Sequence, residues 1–109
     1  MIKIKQEKIL DLESMAASFE SDAIDVLYYR GYSISLVFSG SPVGTVKIQI
    51  SNDTEEPSNW VDLTDSSVSI TEAGSIVYEV TESFSTFIKV VYTRSSGSGS
   101  MSGNITAKG

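Results

Sequence analysis

Ser33-Ile34-Ser35-Leu36-Val37-Phe38-Ser39 and Thr45-Val46-Lys47-Ile48-Gln49-Ile50-Ser51 are the two stretches that decide the fold. In both, apolar and polar residues alternate with a period of two, which is the spacing of side chains on one face of a β-strand. Each stretch therefore has one apolar face and one polar face. This pattern is typical of antiparallel sheets that bury one side against a second layer.

The rest of the chain repeats this arrangement of short strands and turns. Further strands are predicted at residues 23–29, 60–63, 68–70, 76–80, 86–93 and 101–108, separated by turn-forming segments rich in Gly, Ser, Asn and Pro. Residues 86–93 carry apolar side chains on both faces, which predicts a central strand. The sequence therefore predicts an all-β chain. We expect an antiparallel β-sandwich, jelly-roll-like, with seven to nine short strands.

The N-terminal residues and one Ser-Gly segment are harder to interpret. Residues 1–6 alternate like a strand, whereas helical spacing connects Ile9, Leu12, Met15 or Ala16, and Phe19. Strands and loops are the preferred interpretation of this segment. We expect residues 1–17 to be an N-terminal arm or first strand, and residues 18–109 to be a single β-sandwich domain. Residues 95–100 have the composition of a flexible linker. Because an alternating strand follows them, they are predicted to be a mobile hairpin loop and not a domain boundary.

Composition excludes several classes of function. A chain of 109 residues is long enough for one domain with its own core, and it contains no Cys and no His. Its net charge is −6 and its cations form no cluster, so direct nucleic-acid binding is not expected. No apolar run approaches the roughly 18 residues that span a membrane, and no signal peptide is recognisable. Synthesis in a cytoplasm is therefore expected.

Catalytic and metal sites are not predicted. Serines are abundant, but no His or Cys accompanies them and no nucleophile elbow is present, so solvated strand-face serines are the preferred interpretation. Five acids lie close together in sequence: Asp53, Glu55, Glu56, Asp62 and Asp65. Calcium binding is one interpretation of them. An exposed acidic loop is the preferred one, and the chain is predicted to be non-enzymatic, with no cofactor.

The aromatic residues give the candidate interaction surface. Its predicted members are Trp60, Tyr28, Tyr29, Tyr32, Phe87 and Tyr92. A platform on which a sugar stacks is one interpretation of the tyrosines and Trp60. Packing of Trp60 over the end of the core is the preferred alternative.

The order of motifs along the chain resembles small virion-associated proteins of tailed bacteriophages. The motifs are, in order, Phe19-Glu20-Ser21-Asp22-Ala23-Ile24-Asp25, Gly31-Tyr32-Ser33-Ile34-Ser35-Leu36-Val37-Phe38-Ser39-Gly40, Gly44-Thr45-Val46-Lys47-Ile48-Gln49-Ile50-Ser51-Asn52-Asp53, Asn59-Trp60-Val61-Asp62-Leu63, and Ile88-Lys89-Val90-Val91-Tyr92-Thr93-Arg94-Ser95-Ser96-Gly97-Ser98-Gly99-Ser100. The resemblance covers about residues 18–109. It consists of a strand ending in Ser-Asn-Asp, a Trp soon after it, a strand ending in Tyr-Thr, and a Gly/Ser segment before the last strand.

This resemblance implies a structural protein of a phage particle, made in the host cytoplasm and located in the virion. It would be a head decoration or cement protein, or a component of the tail or its fibres, with other virion proteins as partners. Self-association into a homo-oligomer is also expected, because a sheet face left uncovered by the sandwich needs a partner. The alternative is a carbohydrate- or host-surface-binding module, with a glycan as ligand. No membrane partner is expected.

Overall fold

The computed structural model describes residues 3–109, which form ten antiparallel strands and no helix. The strands are β1 (Ile4–Ser14), β2 (Phe19–Glu20), β3 (Ile24–Asp25), β4 (Gly31–Gly40), β5 (Val43–Ser51), β6 (Val61–Asp62), β7 (Val68–Ile70), β8 (Gly74–Val80), β9 (Phe87–Ser96) and β10 (Gly99–Lys108). Within residues 3–109, no helix is long and apolar enough to cross a membrane.

The strands form two sheets with nested pairing. The first sheet has the order β1-β10-β4-β8, and the second has β2-β9-β5-β6, with β3 beside β9 and β7 beside β5. Thus β1 pairs with β10, β2 and β3 with β9, β4 with β8, and β5 with β6 and β7. Strands from the two ends of the chain therefore pair first, and each inner pair follows within the outer one, mostly in the opposite sheet. This order of pairing is that of a jelly roll. The predicted fold class is confirmed, and there are ten strands because each outer strand of the second sheet is divided into two short pieces.

The core lies between the two sheets and contains the predicted apolar faces. Ile34, Leu36 and Phe38 of β4 are buried, as are Val46 and Ile48 of β5. β10 adds Met101, Ile105 and Ala107 to the same cluster. The two alternating stretches therefore face one another across the sandwich. β9 lies between β5 and the β2–β3 pair, which confirms the prediction of a central strand at residues 86–93.

β1 is a bulged strand, so its sequence imitates helical spacing. Its register with β10 shifts twice, between Lys8 and Leu10 and between Leu10 and Glu13, and Leu12 has a φ of 51°. An extra residue at a bulge interrupts the period of two and spaces apolar residues more widely. Leu10 and the following Met15 are buried in the core. From Ile4 onward, the segment that could have been a free arm is a strand of the sheet.

The Ser-Gly segment is a corner between the two sheets. β9 belongs to the second sheet and β10 to the first, and the chain passes from one to the other at Gly97 and Ser98. The Ser41 N–H donates to the Ser98 carbonyl at 2.8 Å, which joins this corner to the β4–β5 corner. Gly97 has a φ of 74°. The prediction of a hairpin is therefore wrong, because β9 and β10 do not pair with one another.

The predicted strand at residues 23–29 is also too long. Only Ile24–Asp25 pairs with β9. The Asp25 carboxylate then accepts a hydrogen bond from the Leu27 N–H at 3.0 Å, and the Tyr29 N–H donates to the Val26 carbonyl at 3.1 Å. An aspartate that binds the backbone two residues on favours a turn over a continued strand. Tyr28 lies in this turn.

Two buried serines lie at opposite ends of one row of paired residues that crosses the second sheet. In this row Val90 of β9 pairs with Ile48 of β5. Beyond Val90, between β2 and β3, the Ser21 hydroxyl accepts from the Val90 N–H at 2.9 Å. Beyond Ile48, between β6 and β7, the Ser66 hydroxyl accepts from the Ile48 N–H at 3.1 Å and donates to the Leu63 carbonyl at 2.7 Å. Each hydroxyl therefore accepts the hydrogen bond that a backbone carbonyl of the neighbouring strand would accept if that strand were continuous.

Two tyrosines, the buried Tyr92 and the half-buried Tyr78, differ in whether their hydroxyl groups have a hydrogen-bond partner. The Tyr92 hydroxyl is buried without a hydrogen-bond partner in the described part of the chain. The Tyr78 hydroxyl donates to the Ser66 carbonyl at 2.7 Å. An unpaired buried polar group destabilises a fold, whereas a paired one stabilises it.

We therefore expect the same chemical change to have opposite effects at the two tyrosines. Tyr92→Phe should raise the free energy of unfolding by up to about 1 kcal/mol, and Tyr78→Phe should lower it by about 1 kcal/mol. Urea denaturation of the two variants measures both values. A loss of stability in Tyr92→Phe would show that its hydroxyl has a partner.

Candidate interaction surfaces

The structure divides the six predicted aromatic residues into core and surface. Tyr32 is 5% exposed and Tyr92 is 1% exposed, so neither can belong to an interaction surface. Both occupy inward positions of their strands, and the Tyr92 ring lies 5.3 Å from that of Phe19. Burial raises the pKa of Tyr32 to about 12 and also raises the pKa of Tyr92. Tyr28, Tyr29, Trp60 and Phe87 remain wholly or partly accessible.

The first surface lies at the end of the sandwich where the β3–β4 and β8–β9 loops meet. Phe84 is 90% exposed and Tyr28 is 67% exposed, and Leu27 beside them is also exposed. These three side chains are called the end patch below. They line one shallow depression together with Tyr29, which is half-buried. The Lys3 ammonium group lies 4.6 Å from the centre of the Tyr28 ring.

The loops that carry the end patch are fixed to one another by backbone hydrogen bonds. The Val26 N–H donates to the Thr86 carbonyl at 2.9 Å, and the Ser83 N–H donates to the Arg30 carbonyl. These bonds flank Leu27 and Phe84 in sequence and keep their two loops together. Sequence reasoning missed both residues. The sequence contains one signal for Phe84, because it is the single aromatic residue in the polar run of residues 81–86. This run has no apolar alternation that would assign Phe84 to the buried face of a strand.

The second surface is on the outer face of the second sheet, around Trp60. Lys89 points outward because its neighbours Ile88 and Val90 point into the core. Its ammonium group lies 4.4 Å from the centre of a Trp60 ring and 3.1 Å from the carboxylate of Glu20. Lys89 is consequently only 8% exposed. We call Glu20, Trp60 and Lys89 the Trp60 cluster.

Trp60 is thus neither a core residue nor a free platform. Its ring covers Lys89 from outside, which is a favourable cation–π geometry, and the residue is half-buried. The preferred expectation, that Trp60 packs over the core, is wrong because a sheet lies between Trp60 and the core. Phe87 lies on the same outer face as Lys89, two residues earlier on β9, and is half-buried.

Asp53 organises the loop that carries Trp60. Its carboxylate accepts hydrogen bonds from the Ser58 N–H at 2.7 Å and the Asn59 N–H at 2.9 Å, and from the Asn59 amide at 3.2 Å. The Ser51 hydroxyl donates to it at 3.0 Å. These donors, the Ser58 N–H first among them, hold the pKa of Asp53 well below its usual value. The loop is therefore built around an ionised carboxylate.

This arrangement argues against the calcium interpretation of the acidic segment. The Asp53 oxygens are already occupied by N–H and O–H donors. The Asp62 carboxylate in turn accepts from Lys47 and Gln49 at 3.0 and 2.9 Å. In residues 3–109, no three Asp or Glu side chains come close enough together to hold a metal ion. The acids of this segment therefore act within the fold or lie exposed.

We expect Asp53→Ala to release Trp60 from Lys89. Losing the carboxylate frees the Ser58 and Asn59 N–H groups, so the loop loses the bonds that place the indole. Trp60 is the only tryptophan, so its emission should shift to the red and acrylamide should quench it more strongly. Glu55→Ala, which removes an exposed carboxylate from the same loop, is the matched control and should leave the emission unchanged. Equal spectra for both variants would contradict the anchoring role of Asp53.

The pH dependence of the wild-type emission follows from the same carboxylate. A depressed folded-state pKa means that Asp53 contributes its full stabilisation above the unfolded pKa of about 3.9. That contribution is lost as the pH falls from there toward the folded-state pKa. The Trp60 emission should therefore stay constant from pH 7 down to about pH 4 and should change only below it.

Comparison with known proteins shows a shared fold and no sequence family. No protein-family model matches the sequence, and no curated protein matches it. The crystal structure of YomS, a protein derived from the SPBc2 prophage, superposes with a TM-score of 0.57 and 11% identity, over 97% of this chain and 95% of that chain. The VP2 subviral particle of infectious bursal disease virus gives a TM-score of 0.59 and 13% identity, over 98% of this chain and 32% of that chain.

A carbohydrate-binding domain has a similar structure as well. Chitosan-binding module 1, from a chitosanase/glucanase of Paenibacillus sp. IK-5, superposes with a TM-score of 0.58 and 13% identity, over 94% of this chain and 92% of that chain. Identities this low show the fold alone. The jelly roll of this chain is therefore shared with a prophage-derived protein, a viral particle protein and a glycan-binding module.

Proposed function

We propose that this chain is a non-enzymatic structural component of a phage particle. It would act as a head decoration or cement protein, or as a tail-associated protein, and bind other virion subunits. The observation that carries this proposal is the end patch, in which Leu27, Tyr28 and Phe84 are exposed on loops that backbone hydrogen bonds hold in place. The shared fold and similar length of the prophage-derived protein YomS support it.

The end patch has the properties of a protein-binding anchor. Burying a large apolar side chain contributes about 1.5–3 kcal/mol, and Phe84 has almost all of its surface available for this. Aromatic side chains that fill a partner's pocket usually dominate the energy of an interface. Because the backbone of both loops is held before binding, less conformational entropy is lost on association than with free loops. These features support docking onto a preformed surface of a virion.

The test is incorporation into particles produced from the genome that encodes the chain. Particles purified on a density gradient should contain the protein, detected by immunoblot. Phe84→Ser should reduce its amount in the particles, and Val61→Ser, which changes an exposed apolar residue elsewhere, should leave it unchanged. Thermal unfolding must be the same for both variants. Particles without the wild-type protein would overturn the proposal.

A glycan-binding module is the second candidate, and the partly accessible Trp60 ring favours it. One side of this ring is covered by Lys89, while the residue keeps accessible surface on which a sugar could stack. Electrophoresis in gels containing chitosan would test this. Because the chain has a net charge of −6, a cationic polysaccharide will retard it without specific binding. If Trp60 binds the glycan, the gel should therefore retard Trp60→Ala less than Tyr28→Ala. Equal retardation of the two variants would exclude this role for Trp60.

A further inference from the structure

The four edges of the two sheets are protected to different degrees. β1 carries two bulges and a series of charged residues, and β2, β3, β6 and β7 are only two or three residues long. Such devices prevent a sheet from pairing with another chain. β8 is longer, has no bulge and carries a single charged residue, Glu79. It pairs with β4 over seven residues without a register shift, and it contains no Lys and no Pro.

β8 also borders a strip of apolar side chains. Val77 points outward and is 58% exposed, and Val37 of the adjacent β4 is exposed on the same face. The two are diagonal neighbours, because Val77 pairs with Ser35 and Val37 pairs with Ser75. A strand added beside β8 would therefore continue the sheet and cover part of this strip.

We propose that two copies of this chain pair through β8, antiparallel, about a two-fold axis at Val77. The two four-stranded sheets would then form one sheet of eight strands. In this register Val77 faces Val77 of the second copy, and Glu79 faces Ser75 of the second copy. No like charges face one another within the strands. Self-pairing by one strand is the simplest closed interface, since the same surface serves both copies.

The area available predicts a weak dimer. Seven residues at about 3.4 Å each give an edge about 24 Å long. Two layers spaced about 10 Å apart make this side of the sandwich about 20 Å thick. The interface would bury roughly 500 Å² on each copy, or about 1,000 Å² in total, which is near the lower limit for a specific interface. Association should therefore be reversible and depend on concentration.

Charged residues just beyond the ends of β8 give this pairing a characteristic dependence on salt concentration. Glu72 and Glu82 are both exposed and lie just beyond the two ends of β8. Antiparallel pairing brings Glu72 of one copy to the same end of the interface as Glu82 of the other, so two carboxylates meet at each end. Like charges weaken association, and salt screens them. The dimer should therefore become tighter as the ionic strength rises. Glu72→Lys would put opposite charges together at both ends and should tighten it several-fold.

Sedimentation equilibrium of the full chain over a range of concentrations tests the proposal. Val77→Lys should weaken association by roughly tenfold or more, because it places two cations on the axis. Val61→Lys, which changes an exposed apolar residue of the other sheet, is the matched control and should still dimerise. Glu55→Lys controls for net charge and should tighten the dimer less than Glu72→Lys. Thermal unfolding shows whether each variant is folded.

Three results would overturn the proposal. They are a wild-type monomer up to about 1 mM, a Val77→Lys variant that dimerises like the wild type, and equal effects of Glu72→Lys and Glu55→Lys. The inference extends the proposed virion role by naming a self-association surface, but the two can fail separately. A monomer that is still incorporated into particles would remove this interface and leave the virion role in place.

Discussion

Replacing Gly97 by alanine is expected to lower the free energy of unfolding by about 2–5 kcal/mol. Gly97 has a φ of 74°, a conformation that costs an L-residue about 1–2 kcal/mol. A Cβ atom at this position would also collide with the Ser41 carbonyl oxygen and crowd Pro42. Both neighbours are backbone in the β4–β5 corner, so neither can rotate away. Because domains of this size are stable by about 5–15 kcal/mol, the loss would be a large part of the total.

Urea denaturation of Gly97→Ala and Ser98→Ala measures this effect with a control from the same corner. Ser98 is exposed, and it holds the corner through its backbone carbonyl, which accepts from the Ser41 N–H at 2.8 Å. Alanine keeps that carbonyl, so Ser98→Ala should change stability by less than about 0.5 kcal/mol. A Gly97→Ala variant as stable as Ser98→Ala would mean that the corner can open without cost.

The Ser-Gly composition of this corner incorrectly suggests a flexible connection. A Ser-Gly run is the usual composition of a flexible connection, because small residues allow many conformations. Here Gly97 is present because the β4–β5 corner leaves no room for a side chain. That corner is far away in sequence, so the contact depends on which sheet each strand joins. Local sequence carries no information on that assignment.

The sandwich itself was predictable because its signal is local. The period of two in β4 and β5 belongs to each strand alone, and it places Ile34, Leu36, Val46 and Ile48 in the core without knowledge of their partners. β1 was ambiguous for the opposite reason. Its bulges are defined by pairing with β10, and they break the alternation that would have identified the strand.

The candidate surface was only partly predictable. The alternation of β4 and β9 already assigns Tyr32 to the face of Ile34 and Tyr92 to the face of Val90, so their burial could have been inferred. Leu27 could not have been, because its exposure depends on a turn that ends β3 early. Trp60 lies over Lys89 because a loop folds back onto the outer face of the sheet, and no sequence period describes such a loop.

The two variants Ser21→Ala and Ser66→Ala should each have a free energy of unfolding lower than that of the wild type by about 1–3 kcal/mol. Each change leaves a buried N–H group without an acceptor, Val90 in the first case and Ile48 in the second. The two serines end the same row on opposite sides, three strand spacings or about 14 Å apart. At that separation the two losses should add.

Hydrogen exchange distinguishes this capping role from a general loss of stability. Ser21→Ala should speed exchange most at the Val90 amide, and Ser66→Ala should speed it most at the Ile48 amide, although the two residues pair with each other. Ser69→Ala is the control, because Ser69 is exposed on β7, three residues after Ser66, and its replacement should cost less than about 0.5 kcal/mol. Equal acceleration at both amides in each variant would contradict local capping. If each amide responds to its own serine, the two hydroxyls fill the gaps between β2 and β3 and between β6 and β7. These gaps shorten the outer strands of the second sheet, while its central strands β5 and β9 stay paired along their length.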